Sequence, residues 1–391
     1  MKEGWIVKKL GEVCESDLGK TINKSKDKGR FYPYLCSINV LWNAFDFSTI
    51  KEAKFEETEL DKYSVSKGDL LICEGGDIGR AAIWNFDNTI LYQNALHRVR
   101  CYDNLNSMFC LYYLKYLKEK GILDSKYAKG VTIKHLVKSA LLSIPIPIPP
   151  LSEQHHIVSE LDCLNGIIDK KREQLKELDT LAQSIFYDMF GDPIMNEKGW
   201  ERIQINDCVI EMFIGPFGSS LKKECYVNKE DAYCMVYEQK HAINKRFDLE
   251  NHYIDKDKYI ELKRFEVGPS DFIMSCRGTI GEIYQIPSTA PKGIIHPSLM
   301  KIRLNDKVCN PIFFEKILAI IVKGQDMKGG CIKMAITAKS LGKILIIIPP
   351  MELQNLYAEK ISAIDKQKEL IKQSLAEVED LFNSRMDYYF H

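Results

Sequence analysis

Ile144-Pro-Ile-Pro-Ile-Pro-Pro150 and Ile344-Leu-Ile-Ile-Ile-Pro-Pro350 are two versions of one phrase, set 200 residues apart in a chain of 391. Each is a short apolar run closed by a proline pair. Proline is excluded from a helix interior but tolerated just before one, so each phrase predicts a strand that runs straight into a helix. Beyond the prolines, Leu151 and Gln154 correspond to Met351 and Gln354. Upstream, the offset drifts as small loop insertions would make it. Asp69-Leu-Leu-Ile72 matches Asp271-Phe-Ile-Met274, and Gly76, Ile78 and Gly79 match Gly278, Ile280 and Gly281. Arg98-Val-Arg100 matches Lys301-Ile-Arg303, and Gly4-Trp5 matches Gly199-Trp200. The chain is one unit written twice.

After each proline pair, apolar residues recur in alternating steps of four and three. The first set is Ile157, Leu161, Leu164, Ile168, Leu175, Leu178, Ala182, Ile185 and Met189, broken only by Lys171. The second is Tyr357, Ile361, Ile364, Ile371, Leu375, Val378, Phe382 and Tyr389, broken by Lys368 and Arg385. That spacing is the seam of a coiled coil. Gly191 and Pro193 are stop signals for the first helix. Each helix is expected to run about 35–39 residues, roughly 53–58 Å at 1.5 Å per residue. Neither seam has another partner of matching length, so the two are expected to pack on each other, antiparallel by the pseudo-two-fold symmetry of the repeat. The alternative is that each packs only on its own domain.

The remaining sequence reads as mixed α/β. Asp69 to Cys73, Leu96 to Tyr102, Asp271 to Ser275 and Leu299 to Leu304 carry strand patterns. Met108 to Lys120 and Pro311 to Lys323 carry helix patterns, and Gly76, Gly79, Gly278 and Gly281 mark turns between strands. The expected division is therefore a head at 1–150, a long helix at 151–191, a second head at 192–350 and a second long helix at 351–391. The net charge of zero hides alternating blocks: basic minus acidic is 22 − 18 in 1–150, 4 − 9 in 151–195, 23 − 19 in 196–350 and 5 − 8 in 351–391. Outside the anchors the heads share little, which suits a protein that reads two unlike things.

No apolar run approaches the roughly 20 residues of a membrane helix, and the start of the chain lacks a signal-peptide core. A cytoplasmic protein without membrane contact is expected. The twelve cysteines show no Cys-x-x-Cys pair or zinc-ligand spacing, so they read as reduced small hydrophobes, with no metal.

Taken together these features resemble the specificity subunits of type I restriction–modification systems. The resemblance rests on Ile148-Pro-Pro-Leu-Ser-Glu-Gln154, Ile348-Pro-Pro-Met-Glu-Leu-Gln354, Met189-Phe-Gly-Asp-Pro193 and Gly215-Pro-Phe-Gly-Ser-Ser-Leu-Lys222, and it covers essentially the whole chain. Leu353 departs from the pattern, in which Glu153 is the usual residue. The resemblance implies two target-recognition domains separated by two long antiparallel coiled-coil helices. Each domain would read half of a bipartite asymmetric site in double-stranded DNA. The helices would set the unread spacer and dock two methyltransferase subunits, which recruit motor–nuclease subunits. S-adenosylmethionine, ATP and Mg2+ would belong to those partners, leaving this chain non-catalytic and without a cofactor.

Base and phosphate readers are sought among long polar side chains on glycine-marked or basic loops. In the first head these are Lys24, Lys26, Lys28, Arg30, Arg80, Lys129, Thr132 and Lys134. In the second they are Ser219, Ser220, Lys222, Lys223, Lys240, Lys245, Arg246, Arg277, Lys328 and Lys333. Tyr127 and Tyr237 read as core residues. Chemistry is not evident. Asp17-Leu-Gly-Lys-Thr21 approximates a phosphate loop, but Cys14 stands where its first glycine belongs. Glu238-x-Lys240 and Glu261-x-Lys263 are each half of a nuclease signature. His155 and His156 are adjacent, so they face apart on a helix. A coiled-coil protein–protein scaffold and a metal-dependent nuclease remain the alternatives.

Overall fold

A computed structural model describes residues 4–23, 25–130, 134–326 and 336–391. The chain forms two compact units. One comprises Met1–Glu173 with Ile371–His391, and the other Gln174–Leu370. Each unit therefore takes in about half of each long helix.

The first unit has two four-stranded sheets. One is antiparallel, in the order Cys14–Leu18, Leu96–Cys101, Leu70–Cys73, Ala81–Ile83. The other runs Lys51–Phe55, Arg30–Leu35, Ile90–Tyr92, Ser64–Val65, with its middle pair parallel. Ile6–Lys9 pairs antiparallel with Pro145–Ile148 in a separate two-stranded ribbon. Two prolines are tolerated there because that strand has a neighbour on one side only.

The second unit repeats this design. Val209–Ile214, Leu299–Leu304, Phe272–Ser275 and Ile283–Gln285 form the antiparallel sheet. His252–Ile254, Cys234–Tyr237, Gly293–Ile295 and Glu266–Val267 form the mixed one, again with a parallel middle pair. Arg202–Gln204 pairs with Leu345–Ile347. The units differ by a hairpin, Val40–Leu41 with Ala44–Phe45, at the place where the second has a helix, Gln239–Asn244.

The helices Ser107–Glu119 and Pro311–Asp326 cover the antiparallel sheets. The long helices run Leu151–Phe190 and Met351–Phe390, 40 residues each. Both start on the same device. Gln154 is fully buried; its amide nitrogen donates to Asn104 O and Pro149 O, both at 2.9 Å, and its Oε1 accepts from Asn106 N–H at 2.8 Å. Gln354 repeats this with Pro349 O at 2.7 Å and Asn310 N–H at 2.8 Å. Asn106 and Asn310 in turn cap the shorter helices, so one glutamine per unit locks two helix starts together. Leu353 has a local explanation. Glu153 accepts the Trp5 indole N–H at 3.1 Å, whereas the Trp200 indole donates to Phe190 O at 2.9 Å and needs no carboxylate.

The helix seams meet, antiparallel in both units. In the first, Arg385 and Tyr389 bind Glu160, and Arg172 binds Glu379 at 2.6 Å. The Arg385 guanidinium holds the Glu160 carboxyl below its ordinary range. In the second, Lys368 meets Asp179 at 2.5 Å and Phe186 meets Tyr357. Ile157, Leu161, Ile168, Ile364 and Phe382 are buried; Leu164, Leu175, Leu178, Ile185, Ile361, Ile371, Leu375 and Val378 are half-buried. Toward the helix ends the buried face widens beyond the predicted seam. Phe186, Phe190, Met386 and Phe390 are buried there because the helix packs on sheet and helix at once.

Candidate nucleic-acid interface

The loops that leave the sheets have one backbone plan in both units. In the first, Gly19 N–H donates to Leu96 O (3.3 Å), Gln93 N–H to Leu35 O (2.9 Å), Glu74 N–H to Ala95 O (2.9 Å) and Leu136 N–H to Glu74 O (2.7 Å). In the second, Gly215 donates to Leu299 O (2.9 Å), His296 to Tyr237 O (2.8 Å), Cys276 to Ser298 O (3.0 Å) and Ile336 to Cys276 O (3.1 Å). Glycine is required at the crossings. A Cβ on Gly19 would lie 2.4 Å from Tyr92 O, and one on Gly215 would lie 2.4 Å from His296 O. Buried side chains also repeat by role. Asn39 accepts from Cys36 N–H at 3.0 Å and His241 from Glu238 N–H at 2.7 Å, each opening a short helix. Burial lowers the His241 pKa, so the imidazole stays neutral: Nδ1 accepts, and Nε2–H donates to Asn251 at 2.7 Å.

On this common frame the side chains differ. Gln93-Asn94-Ala95 stands where the second unit has His296-Pro297-Ser298, and Gly75-Gly76-Asp77 stands where it has Arg277-Gly278-Thr279. The glycine turns themselves are alike, with φ of +77° and +79° at Gly76 and Gly79 and +68° and +88° at Gly278 and Gly281. A Cβ on Gly281 would meet Val322 Cγ1 at 2.5 Å. Gly281→Ala should therefore cost about 2–4 kcal/mol, combining the left-handed penalty with overpacking. Adding Val322→Ala should return the packing part only. Urea unfolding of wild type and both variants checks this; a Gly281→Ala loss under about 1 kcal/mol would refute it.

The eighteen sequence candidates divide by their surroundings. Five are engaged within the protein. Arg80 donates to Ser37 O at 2.8 Å, and Lys134 to Asp124 O at 3.1 Å. Lys240 pairs with Glu238 (2.9 Å), Lys245 with Glu315 (2.5 Å), and Arg246 is bidentate on Asp248. Lys26, Lys28, Arg30, Lys129, Lys222, Lys223 and Arg277 are exposed and have no carboxylate partner among the described residues. Ser219 is exposed and Ser220 half-buried in a 3-10 turn. Lys24, Thr132, Lys328 and Lys333 lie outside the described residues. Tyr237 is fully buried and Tyr127 half-buried.

The apparent phosphate loop is structural. Lys20 is 6% exposed, and its ammonium is held by Glu59 at 2.6 Å and Lys54 O at 2.9 Å. Glu238 is tied to Lys240 and His252, and Glu261 to Lys258. Among the described residues, no three His, Cys, Asp or Glu side chains form a metal-holding group. No described helix is long and apolar enough to cross a membrane.

The sequence pattern of the family described as "Type I restriction modification DNA specificity domain" matches residues 2–180 and again residues 197–380. The chain belongs to this family. A protein described as the specificity subunit of type I restriction enzyme MjaX, from Methanocaldococcus jannaschii, is 23% identical over 389 residues, covering 96% of this chain and 90% of its own. A specificity subunit from Haemophilus influenzae, S.HindORF215P, is 36% identical over a shorter span, 32% of this chain and 31% of its own. Two solved structures share the fold. The type I S subunit from M. genitalium aligns over 98% of this chain and 95% of its own, with 16% identity and a TM-score of 0.58. A chain from a structure of the type I R-M system, studied for complex assembly and conformational transition, aligns over 100% and 98%, with 18% identity and a TM-score of 0.62.

Several residues of this specificity-domain fold escaped the sequence reading. Asn39, His241 and the 93–95 and 296–298 turns carry the loop frame, but their identities differ between copies. Only backbone bonding reveals that they correspond.

Proposed function

We propose that this chain is the DNA-reading, non-catalytic subunit of a type I restriction–modification complex. Each head reads one half of a bipartite asymmetric site in double-stranded DNA. The paired helices set the unread spacer and dock two methyltransferase subunits, through which motor–nuclease subunits join. S-adenosylmethionine, ATP and Mg2+ act in those partners. The observation that carries the reading is a loop frame with four matched backbone bonds in both units while the side chains on it change. A duplicated scaffold with unlike readers is what an asymmetric split site demands. The small net charge of each head, 22 − 18 and 23 − 19, predicts weak binding by the subunit alone.

Replacing residues 1–150 with the first head of another family member should change one half of the methylated sequence and leave the other intact. Long-read methylation mapping in cells carrying the full complex reads this directly. Changes in both halves, or in neither, would remove the two-headed reading.

A further inference from the structure

We propose that Arg277 reads a guanine through the major groove and is a specificity determinant of the second head. The inference rests on the two-headed reading above. Arg277 sits at the tip of the turn between the Phe272–Ser275 and Ile283–Gln285 strands, and the turn is fastened on both sides. The preceding residue, Cys276, donates to Ser298 O and accepts from Ile336 N–H. The Gln239 amide donates to Arg277 O at 2.9 Å and to Thr279 O at 3.3 Å. The Ser275 hydroxyl donates to Thr279 O at 2.5 Å, and Gly281 N–H returns to Ser275 O at 2.9 Å. The backbone beneath the side chain is thus pre-set, which reduces the ordering cost of a specific contact.

Arg277 is exposed and has no carboxylate partner among the described residues, while Lys240, Lys245 and Arg246 of the same head are each paired with one. The adjoining 296–298 turn, held to Cys276, carries polar groups. Ser298 N–H and the Ser298 hydroxyl both point to His296 Nδ1, at 3.2 and 2.8 Å, leaving Nε2 as that ring's donor. Burial first, and then the charges of His252 and Arg277, hold the His296 imidazole below its ordinary pKa although Glu238 acts the other way. Arg277 is also specific to its head, because the matching position on the shared frame is Gly75. A rigidly based, unpaired guanidinium is suited to the two acceptors of guanine, O6 and N7.

The test uses the full chain expressed with its methyltransferase partner, and long-read mapping for wild type, Arg277→Ala and Arg277→Lys. The wild-type motif should hold a G·C pair in the second half-site. With Arg277→Ala, guanine preference at that single pair should fall about 5- to 150-fold, every other position being kept. Arg277→Lys should be similarly degenerate, because a point charge lacks the two-donor fork. If either variant abolishes methylation, competition binding of the purified complex to duplexes changed one pair at a time reads the same selectivity. Full selectivity in Arg277→Lys, uniformly weaker binding in Arg277→Ala with no lost position, or degeneracy in the first half-site would each overturn the proposal. A wild-type motif that is not bipartite would overturn the two-headed reading instead.

Discussion

Phe190→Ala should destabilise the second unit by about 3–5 kcal/mol, the usual cost of emptying a fully buried phenylalanine site. Phe190 is 0% exposed and sits in a closed ring of aromatics. Its centroid lies 4.9 Å from Phe313, 5.3 Å from Phe186 and 5.5 Å from Tyr357. Those four side chains come from the end of one long helix, the start of the other and the helix beneath them. The cavity has little means of collapse, because Phe190 O is also pinned by the Trp200 indole. Phe390→Ala, the matched change in the first unit, should cost somewhat less. Phe390 keeps 8% exposure, and the place of Tyr357 is taken by the smaller Ile157. Denaturant unfolding followed by intrinsic fluorescence measures both. A Phe190→Ala loss below about 1 kcal/mol would mean that the helix ends are not anchored through this cluster.

That anchoring also marks where sequence reading stopped. Steps of four and three found the seam because a coiled coil repeats every seven residues, and the repeat confirmed it residue by residue. Near the ends each helix meets a sheet as well as a helix, so the buried face widens to include Phe186 and Phe190, which a seven-residue count leaves outside. The heads divided in the same way. Asp69 and Asp271, or Gly76 and Gly278, were legible because each is the same residue in both copies. Asn39 and His241 were not, because the shared demand is for an acceptor three residues beyond a free N–H, and two different side chains meet it. The candidate readers were least legible of all. Composition finds a lysine on a loop, but only coordinates distinguish Lys245, already paired with Glu315, from Arg277, which is not.

The matched aspartates lead to the second large effect. Asp271 is 1% exposed and accepts from Arg303 at 2.7 and 2.9 Å and from Gly268 N–H at 3.0 Å, with the Lys301 ammonium 3.6 Å away. Asp69 repeats this with Arg100 at 2.7 and 3.0 Å and Ser66 N–H at 2.9 Å. Lys301 and its counterpart Arg98 are buried cations that reach across to the mixed sheet, at Glu266 O and Ser64 O. Asp271→Ala should cost about 3–5 kcal/mol, since it leaves the Lys301 charge buried with Glu211 as its remaining carboxylate among the described residues. Arg303→Ala should cost less, about 1–3 kcal/mol, because the buried Asp271 carboxylate loses two hydrogen bonds but keeps the Lys301 charge and the Gly268 N–H. The cause of the larger loss can be isolated. If an under-compensated Lys301 is responsible, Asp271→Ala combined with Lys301→Met should recover most of the stability, because removing both charges removes the desolvation cost that one alone incurs. If the double variant is no more stable than Asp271→Ala, the loss belongs to the severed turn at Gly268. The aspartate then acts as a backbone staple rather than as the counter-charge of a buried lysine.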